Sequence, residues 1–234
     1  MHILTNVIAF PPVDQANEHG VLAIGGDLSV ARLQLAYRSG IFPWFSEGEP
    51  IVWYSPKERM VLFPEELKLS KSMRQVSRKK EFKITVNQAF KEVIFNCKSI
   101  KRNDAYGTWI TDTMEKAYIE LHKLGIAKSV EVWQLDTDKG ALSGVEATSY
   151  EDVTSTPLNH HKNYKLVGGL YGVEVEGVFC GESMFSKVSN ASKMALIHLT
   201  QNMQYSLIDC QIYNDHLASL GAKEISREEF LKFL

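Results

Sequence analysis

Apolar and polar positions change period along this chain, and each change predicts an element. Ser129-Val-Glu-Val-Trp-Gln-Leu135 alternates with period two, which predicts a half-buried strand, and Phe82 to Val86 alternates likewise. Met114, Ala117, Tyr118 and Leu121 recur three and four apart. That spacing predicts a helix that opens at Thr111 or Asp112, with Asp112 and Glu115 at capping-box spacing, and that Gly125 ends. Leu33, Ala36 and Tyr37 predict another helix, capped by the Ser29 hydroxyl and stopped by Gly40. Pro43, within Ile41-Phe-Pro-Trp-Phe-Ser46, predicts a rigid loop rather than a long strand.

Side-chain caps predict further helices. Asn87 is placed to open one through about Cys97, Asn190 to open one over 191–205, and Ser226 with Glu229 to box the last. Lys165 to Val175 and Gly177 to Gly181 read as two strands joined by a tight turn at Glu176-Gly177. Gly168-Gly169 marks a bulge or a close backbone approach in the first. Leu207 to Gln211 is a further strand, and Leu217 to Gly221 a helical turn. The polar stretch at about 137–163 is expected to be a surface insertion inside a β-hairpin. The element order after residue 82 predicts an α+β unit with a mostly antiparallel sheet and a helix between the last two long strands. That layout resembles an N-acetyltransferase-type fold.

Composition narrows the classes. The 234 residues are 44% hydrophobic and 23% charged, ordinary for a soluble globular chain that can bury a real core. A net charge of −2 argues against a uniformly basic surface but leaves room for a local basic patch. One such patch is written at 68–83, where seven Lys and Arg face the single acid Glu81. Lys71, Arg74 and Arg78 share one face if that stretch is helical. The start, Met-His-Ile-Leu-Thr-Asn, lacks the basic residues and apolar run of a signal peptide, and no apolar run reaches the ~18 residues of a membrane span. A cytoplasmic protein with no membrane attachment is therefore expected. Cys97, Cys180 and Cys210 have no metal-ligand spacing and read as reduced thiols. His160-His161 reads as loop rather than as a metal site.

Candidate chemistry sits in two apolar runs that pass straight into polar residues, Phe179-Cys-Gly-Glu-Ser-Met-Phe-Ser186 and Leu207-Ile-Asp-Cys-Gln-Ile-Tyr-Asn-Asp-His216. Strand ends in α/β folds aim loop side chains at a shared crevice. Together with Gly40-Ile-Phe-Pro-Trp-Phe45 and Gly107-Thr-Trp-Ile-Thr111, these runs resemble the bacterial leucyl/phenylalanyl-tRNA–protein transferase family. The resemblance extends from Asn17 to Ala222 and includes Trp53-Tyr-Ser-Pro56, Gly168-Gly-Leu-Tyr-Gly-Val173 and Asn190-Ala-Ser-Lys193. One departure is the polar stretch at 137–163, where the family has a short turn.

The resemblance implies an enzyme that takes Leu or Phe, and Met less well, from charged tRNA. It joins the residue to the α-amine of proteins beginning with Arg or Lys, which marks them for degradation. It also implies a small N-terminal domain, 1–62, and an acetyltransferase-like (GNAT-type) C-terminal domain, 63–234, with no metal or other cofactor. A monomer is expected. The aminoacyl and adenosine pocket is expected to use Trp44, Trp109, Tyr118, Leu170, Phe179, Ser183, Met184, Phe185, Ile208 and Asn214. Met suits a pocket that admits both Leu and Phe, because an unbranched thioether adapts. Lys71, Arg74, Arg78, Lys79 and Lys80 are expected to hold tRNA phosphates.

Aminolysis of an activated ester needs a neutral amine, hence a general base, and a donor for the tetrahedral oxyanion. Asp209 is the expected base or base-orienting group, with Gln211, two residues on, holding the amine. Glu182 and Asp209 are the acids expected to meet the acceptor's positive side chain. Asp209→Ala is expected to slow transfer and leave the fold intact. Two rivals stand beside this reading. An acyl-CoA-dependent N-acyltransferase would want a glycine-rich pyrophosphate loop opening a helix, and Val188-Ser-Asn-Ala-Ser-Lys193 is not one. A non-catalytic RNA-binding module would use the basic stretch and leave Glu182 and Asp209 without a task.

Overall fold

The computed structural model describes residues 2–100, 109–136 and 163–234, and shows a mixed α+β protein with two sheets. The first part contains β1 (His2–Leu4), β2 (Val21–Gly25), α1 (Val30–Arg38), β3 (Phe42–Pro43) and β4 (Val52–Tyr54). Its four strands lie in the order β1-β2-β4-β3. Then follow β5 (Glu58–Leu62), α2 (Lys71–Arg78), β6 (Lys83–Val86), α3 (Phe90–Ser99), α4 (Asp112–Lys123), β7 (Ala127–Leu135), β8 (Tyr164–Val175) and β9 (Val178–Ser186). The chain closes with α5 (Ala191–Asn202), β10 (Leu207–Gln211), α6 (Asp215–Ser219), β11 (Lys223–Ser226) and α7 (Arg227–Phe230). The larger sheet has seven strands in the order β11-β5-β10-β9-β8-β7-β6. Strand β5 thus sits inside the larger sheet, between β10 and β11.

The larger sheet is antiparallel except at β9 and β10, which run parallel. A parallel pair needs a crossover, and α5 supplies it. On one face α5 packs with Met60, Leu62, Val130, Val132 and Ile208. On the other, α3 and α4 share a core with α1 and the smaller sheet, joining Leu33 and Trp53 to Phe90 and Tyr171. Helices on both faces explain why β7 is buried from Ser129 to Trp133 rather than alternating as its sequence suggests.

Several local expectations change. Asn87 is not an N-cap. It takes φ +60°, its side chain accepts from the Ser129 N–H, and α3 opens three residues later. Asn190 sits in the left-handed region at φ +69° and makes no side-chain cap. Thr111 caps α4, while Asp112 and Glu115 pair with Lys98 rather than boxing the helix. The helical turn expected over Leu217 to Gly221 is α6, which starts two residues earlier, at Asp215, and is capped by Asn214. Ser29 and Ser226 cap as their sequence context predicts. Glu176 and Gly177, at φ +48° and +81°, make the tight turn between β8 and β9. The expected insertion at 137–163, with His160-His161, falls almost wholly outside the described residues.

Close approach explains two glycines of β8. A Cβ on Gly168 would lie 2.5 Å from the Ala191 Cβ, so α5 can start tight against the sheet. A Cβ on Gly172 would lie 2.3 Å from the Cys180 carbonyl oxygen and 2.6 Å from the Phe179 ring. Phe179 therefore occupies the space that any side chain at 172 would need.

Candidate active site

Pairing between β9 and β10 stops at Cys180–Asp209, while β9 continues along β8 to Gly168–Ser186. Beyond the last pair the two strands part, and a cavity of about 600 Å³ opens between them. The polar run after Phe179 is thus not a loop past a strand end. Glu182, Ser183 and Met184 belong to β9, which holds them rigidly on the sheet. A bulge between Asp209 and Gln211, with Gln211 at φ +66°, turns the end of β10 toward the same space. Such a backbone is costly for a residue with a Cβ, and it persists only where its surroundings hold it.

The cavity's inner wall is apolar, formed by Leu170, Phe179, Met184, Leu196, Leu199 and Ile208. Trp44, Trp109, Tyr54, Tyr213 and Asn214 stand toward its mouth, with Trp44 39% and Tyr213 57% exposed. Trp44 leans on Tyr54, ring centroids 5.6 Å apart. Glu49, on the loop after β3, adds an exposed acid, and its carboxylate accepts the Ser46 N–H at 3.0 Å. Ser183 also lines the cavity.

Buried polar side chains converge at its base. Glu182 Oε1 accepts from the Tyr37 hydroxyl at 2.7 Å and from Gln211 Nε2 at 2.8 Å, and Oε2 accepts from the Tyr118 hydroxyl at 2.9 Å. The two tyrosine hydroxyls are themselves 2.5 Å apart. Burial pushes the Glu182 carboxyl up to about 7, against the pull of the two tyrosine hydrogen bonds; Asp209 adds to the rise and Arg59 opposes it. The group is therefore close to half-ionised near neutral pH, as a general base or acid requires.

Asp209 is fully buried and grips Arg59 with both oxygens, at 2.8 Å to Nε and 2.6 Å to Nη2. Its Oδ1 also accepts the Gln211 backbone N–H at 2.8 Å. The Arg59 guanidinium lies between the rings of Phe42 and Phe230, 4.6 Å from each centroid, and its Nη1 donates to the Gly40 carbonyl. Both Asp209 oxygens are thus committed to Arg59, and one of them also to the Gln211 N–H. This is the geometry of an orienting group that fixes the β10 bulge and, through it, Gln211. With Gln211 Nε2 given to Glu182, the amide oxygen is left as the acceptor that can face a bound amine.

Of the expected pocket residues, Trp44, Trp109, Leu170, Phe179, Ser183, Met184, Ile208 and Asn214 line the cavity. Tyr118 and Phe185 do not. Tyr118 is fully buried behind Glu182, and Phe185 points into the opposite core because its neighbour Met184 faces the cavity. Arg59, Tyr37 and Glu49 are site residues that the sequence did not point to. Arg59 had only a weak signal, because it closes the charged stretch Lys57-Glu-Arg59 just before the apolar run Met60-Val-Leu62. Tyr37 was read only as part of a helix stripe, although a buried phenol needs a partner.

Cys180 and Cys210 lie beside this cluster, and burial pushes both thiols up, so neither is a thiolate nucleophile at neutral pH. Among the described residues no His, Cys, Asp and Glu group is arranged to hold a metal, and no helix is long and apolar enough to cross a membrane. Lys71, Arg74, Arg78, Lys79 and Lys80 stand exposed on and just after α2, whose Met73 and Val76 join the core that floors the cavity.

Comparison with known proteins shows the family of the chain. Residues 61–151 and 148–234 match the family described as leucyl/phenylalanyl-tRNA protein transferase, and residues 26–57 match that family's N-terminal domain. A leucyl/phenylalanyl-tRNA–protein transferase of Flavobacterium psychrophilum is 55% identical over 100% of this chain and 99% of its own. Proteins of the same name from Syntrophus aciditrophicus and Klebsiella pneumoniae are 51% and 46% identical, each over 97% of this chain and 84% and 86% of their own. Among solved structures, FemX shares the fold with a TM-score of 0.50 at 10% identity, over 84% of this chain and 66% of FemX.

Proposed function

Since the chain belongs to the leucyl/phenylalanyl-tRNA–protein transferase family, and is thus an aminoacyltransferase, we propose that it moves Leu or Phe, and Met less well, from tRNA to proteins beginning with Arg or Lys. The observation that carries this reading is the cavity itself, apolar along one wall and ending at Glu182, Gln211 and Asp209. The Leu, Phe or Met side chain lies against Phe179, Met184 and Ile208, and shape there disfavours β-branched residues by about 1–3 kcal/mol. The terminal adenosine stacks on Trp44 or Trp109 at the mouth.

The Gln211 amide oxygen holds the acceptor amine, and the ionised Glu182 takes its proton. The amine nitrogen attacks the ester carbonyl carbon, a C–N bond forms, and the oxyanion is met by donors such as the Asn214 amide. The ester C–O bond then breaks, and Glu182 returns the proton to the tRNA hydroxyl. Asp209 and Arg59 keep Gln211 in place. Glu49, the acid left exposed at the mouth, meets the acceptor's cationic side chain, a role that Glu182 and Asp209, both buried and engaged, are less suited to fill.

Exposed Lys and Arg on α2 give the tRNA backbone a sequence-independent hold. The addition marks acceptors for degradation, and the protein works as a cytoplasmic monomer. Its smaller sheet belongs to an N-terminal domain and its larger sheet to an acetyltransferase-like one, with the boundary before β5 rather than after residue 62, because β5 pairs within the larger sheet. Transfer of labelled leucine from Leu-tRNA to a peptide beginning with Arg, beside one beginning with Ala, tests the reading. Transfer to the Arg peptide alone supports it. Transfer to neither, with Phe-tRNA also tried, refutes it.

A further inference from the structure

A second cavity, of about 270 Å³, lies where the end of α2 and the start of β6 meet α5. Its floor is apolar, including Val76, Phe82 and Met194. Its rim carries Ser77, Lys80, His198, Gln201 and Asn202. No hydrogen bond or ion pair among the described residues engages those five side chains. Lys80, Gln201 and Asn202 are exposed and Ser77 and His198 half-buried, so all five are open to a ligand from solvent, and polar groups around an apolar floor are what a ligand site combines.

The charge pattern limits the ligand. The lining holds one cation, Lys80, and one acid, Glu81, whose carboxylate lies 3.6 Å from Lys79, so it presents no cluster of cations for a bare phosphate. Burial lowers the His198 pKa, leaving a neutral ring with one donor and one acceptor nitrogen. Two amides and a hydroxyl add further donors and acceptors. Such groups read the edge of a nucleobase, and an apolar floor receives its face. The volume is below the ~300 Å³ at which sites for larger molecules begin, and suits a single base.

Position adds the partner. Lys71, Arg74 and Arg78 lie on α2, which runs directly into this cavity. Met194, Ile197, His198 and Gln201 occupy one face of α5, and Leu196 and Leu199, which line the first cavity, occupy the other. The two sites are thus separated by the thickness of one helix, about 10–12 Å, well within the reach of one tRNA.

We propose that this second cavity is a nucleobase subsite that takes one unpaired base of the aminoacyl-tRNA while the α2 cations hold the phosphates beside it. The inference rests on the tRNA-dependent reading above. The test is Gln201→Ala with Asn202→Ala, both exposed and so harmless to folding, and His198→Ala as a second variant. Three quantities are measured across a salt series: the affinity for uncharged tRNA, the KM for Leu-tRNA, and the KM for leucyl-adenosine. Tenfold or greater loss on both tRNA measures is expected, with leucyl-adenosine unchanged and the salt dependence of tRNA binding unaltered. Wild-type tRNA binding by both variants overturns the subsite, and so does a weakened salt dependence, which marks a phosphate contact. Wild-type protein that binds tRNA but transfers no leucine refutes the functional reading alone, because the binding measurement does not depend on transfer.

Discussion

Replacing Glu182 by Gln asks whether the buried carboxylate is the base. The side chain keeps its shape and loses its charge and its proton affinity. Two opposed effects on stability follow. With the folded pKa raised from 4.5 to about 7, the protonated form is the one the fold favours. The stability it contributes is fully present below about 4.5 and is lost as pH rises through about 7. A shift of that size corresponds to roughly 3 kcal/mol, so above pH 8 the fold carries a burial cost of that order, which Gln relieves. Against this, the carboxylate accepts from three donors, Tyr37, Tyr118 and Gln211. A carboxamide must turn its own N–H₂ toward at least one of them, and re-pairing that partner costs up to about 1–3 kcal/mol. The two effects nearly cancel, so the variant is expected to fold with a stability at pH 8 within about 2 kcal/mol of the parent.

Activity does not cancel. A general base contributes about 10²–10⁴-fold, and transfer should fall by that much. The pH profile of kcat/KM separates the base from the acceptor amine, whose own pKa of about 8 gives a second rising limb. Wild type should show both limbs, the lower near 7, and Glu182→Gln should keep only the upper one. A folded variant within a few-fold of wild-type turnover, with the lower limb intact, would remove Glu182 from proton transfer and refute the argument from burial.

Asp209→Asn leaves Arg59 charged, buried and without its partner, so a loss of about 3–5 kcal/mol is expected in urea denaturation. Asp209→Ala, for the same reason, is not the clean catalytic probe that the sequence alone suggests; unchanged stability would mean that the pair is not closed in solution. Gly172→Ala drives a methyl into the Cys180 carbonyl and the Phe179 ring, and should cost about 1–3 kcal/mol or more, read as a lower midpoint of unfolding. Glu49→Gln should raise the KM for a peptide beginning with Arg several-fold and leave its kcat unchanged; equal KM values for both proteins would free Glu49 of that role. Arg74→Glu with Arg78→Glu should raise the KM for Leu-tRNA and reduce the logarithmic salt slope by about 2, while leucyl-adenosine kinetics stay constant. A slope equal to wild type would return the α2 face to solvent.

Periodicity carried most of the element order because the long helices and strands bury one consistent set of positions. Met114, Tyr118 and Leu121 repeat at helical spacing and are all buried on α4. Caps were less legible. Asn87 and Asn190 precede helices, yet both adopt positive φ, a backbone that Asn tolerates and that sequence does not separate from a capping role. Strand ends failed for a related reason. A polar run after an apolar one signals a loop only where the polar side chains reach solvent, and in β9 Glu182 finds its partners inside the protein.

The site's chemistry was harder to read because its decisive partners are remote in sequence. Asp209 and Gln211 invite a reading as neighbours on one strand face, and what joins them is instead the bulge, with the Gln211 N–H on the Asp209 carboxylate. What fixes Asp209 is Arg59, 150 positions away, held between two aromatic rings from other elements. What holds Glu182 is Tyr37, 145 positions away on a helix beside the smaller sheet. The local motif therefore names the groups that can do chemistry but not their protonation. Burial, against the pull of the two phenol hydrogen bonds, makes Glu182 basic enough to take a proton near pH 7. A guanidinium in the same pocket commits Asp209 to holding its neighbour. Two acids of one charge are given different work by their partners, and only the folded chain decides which is which.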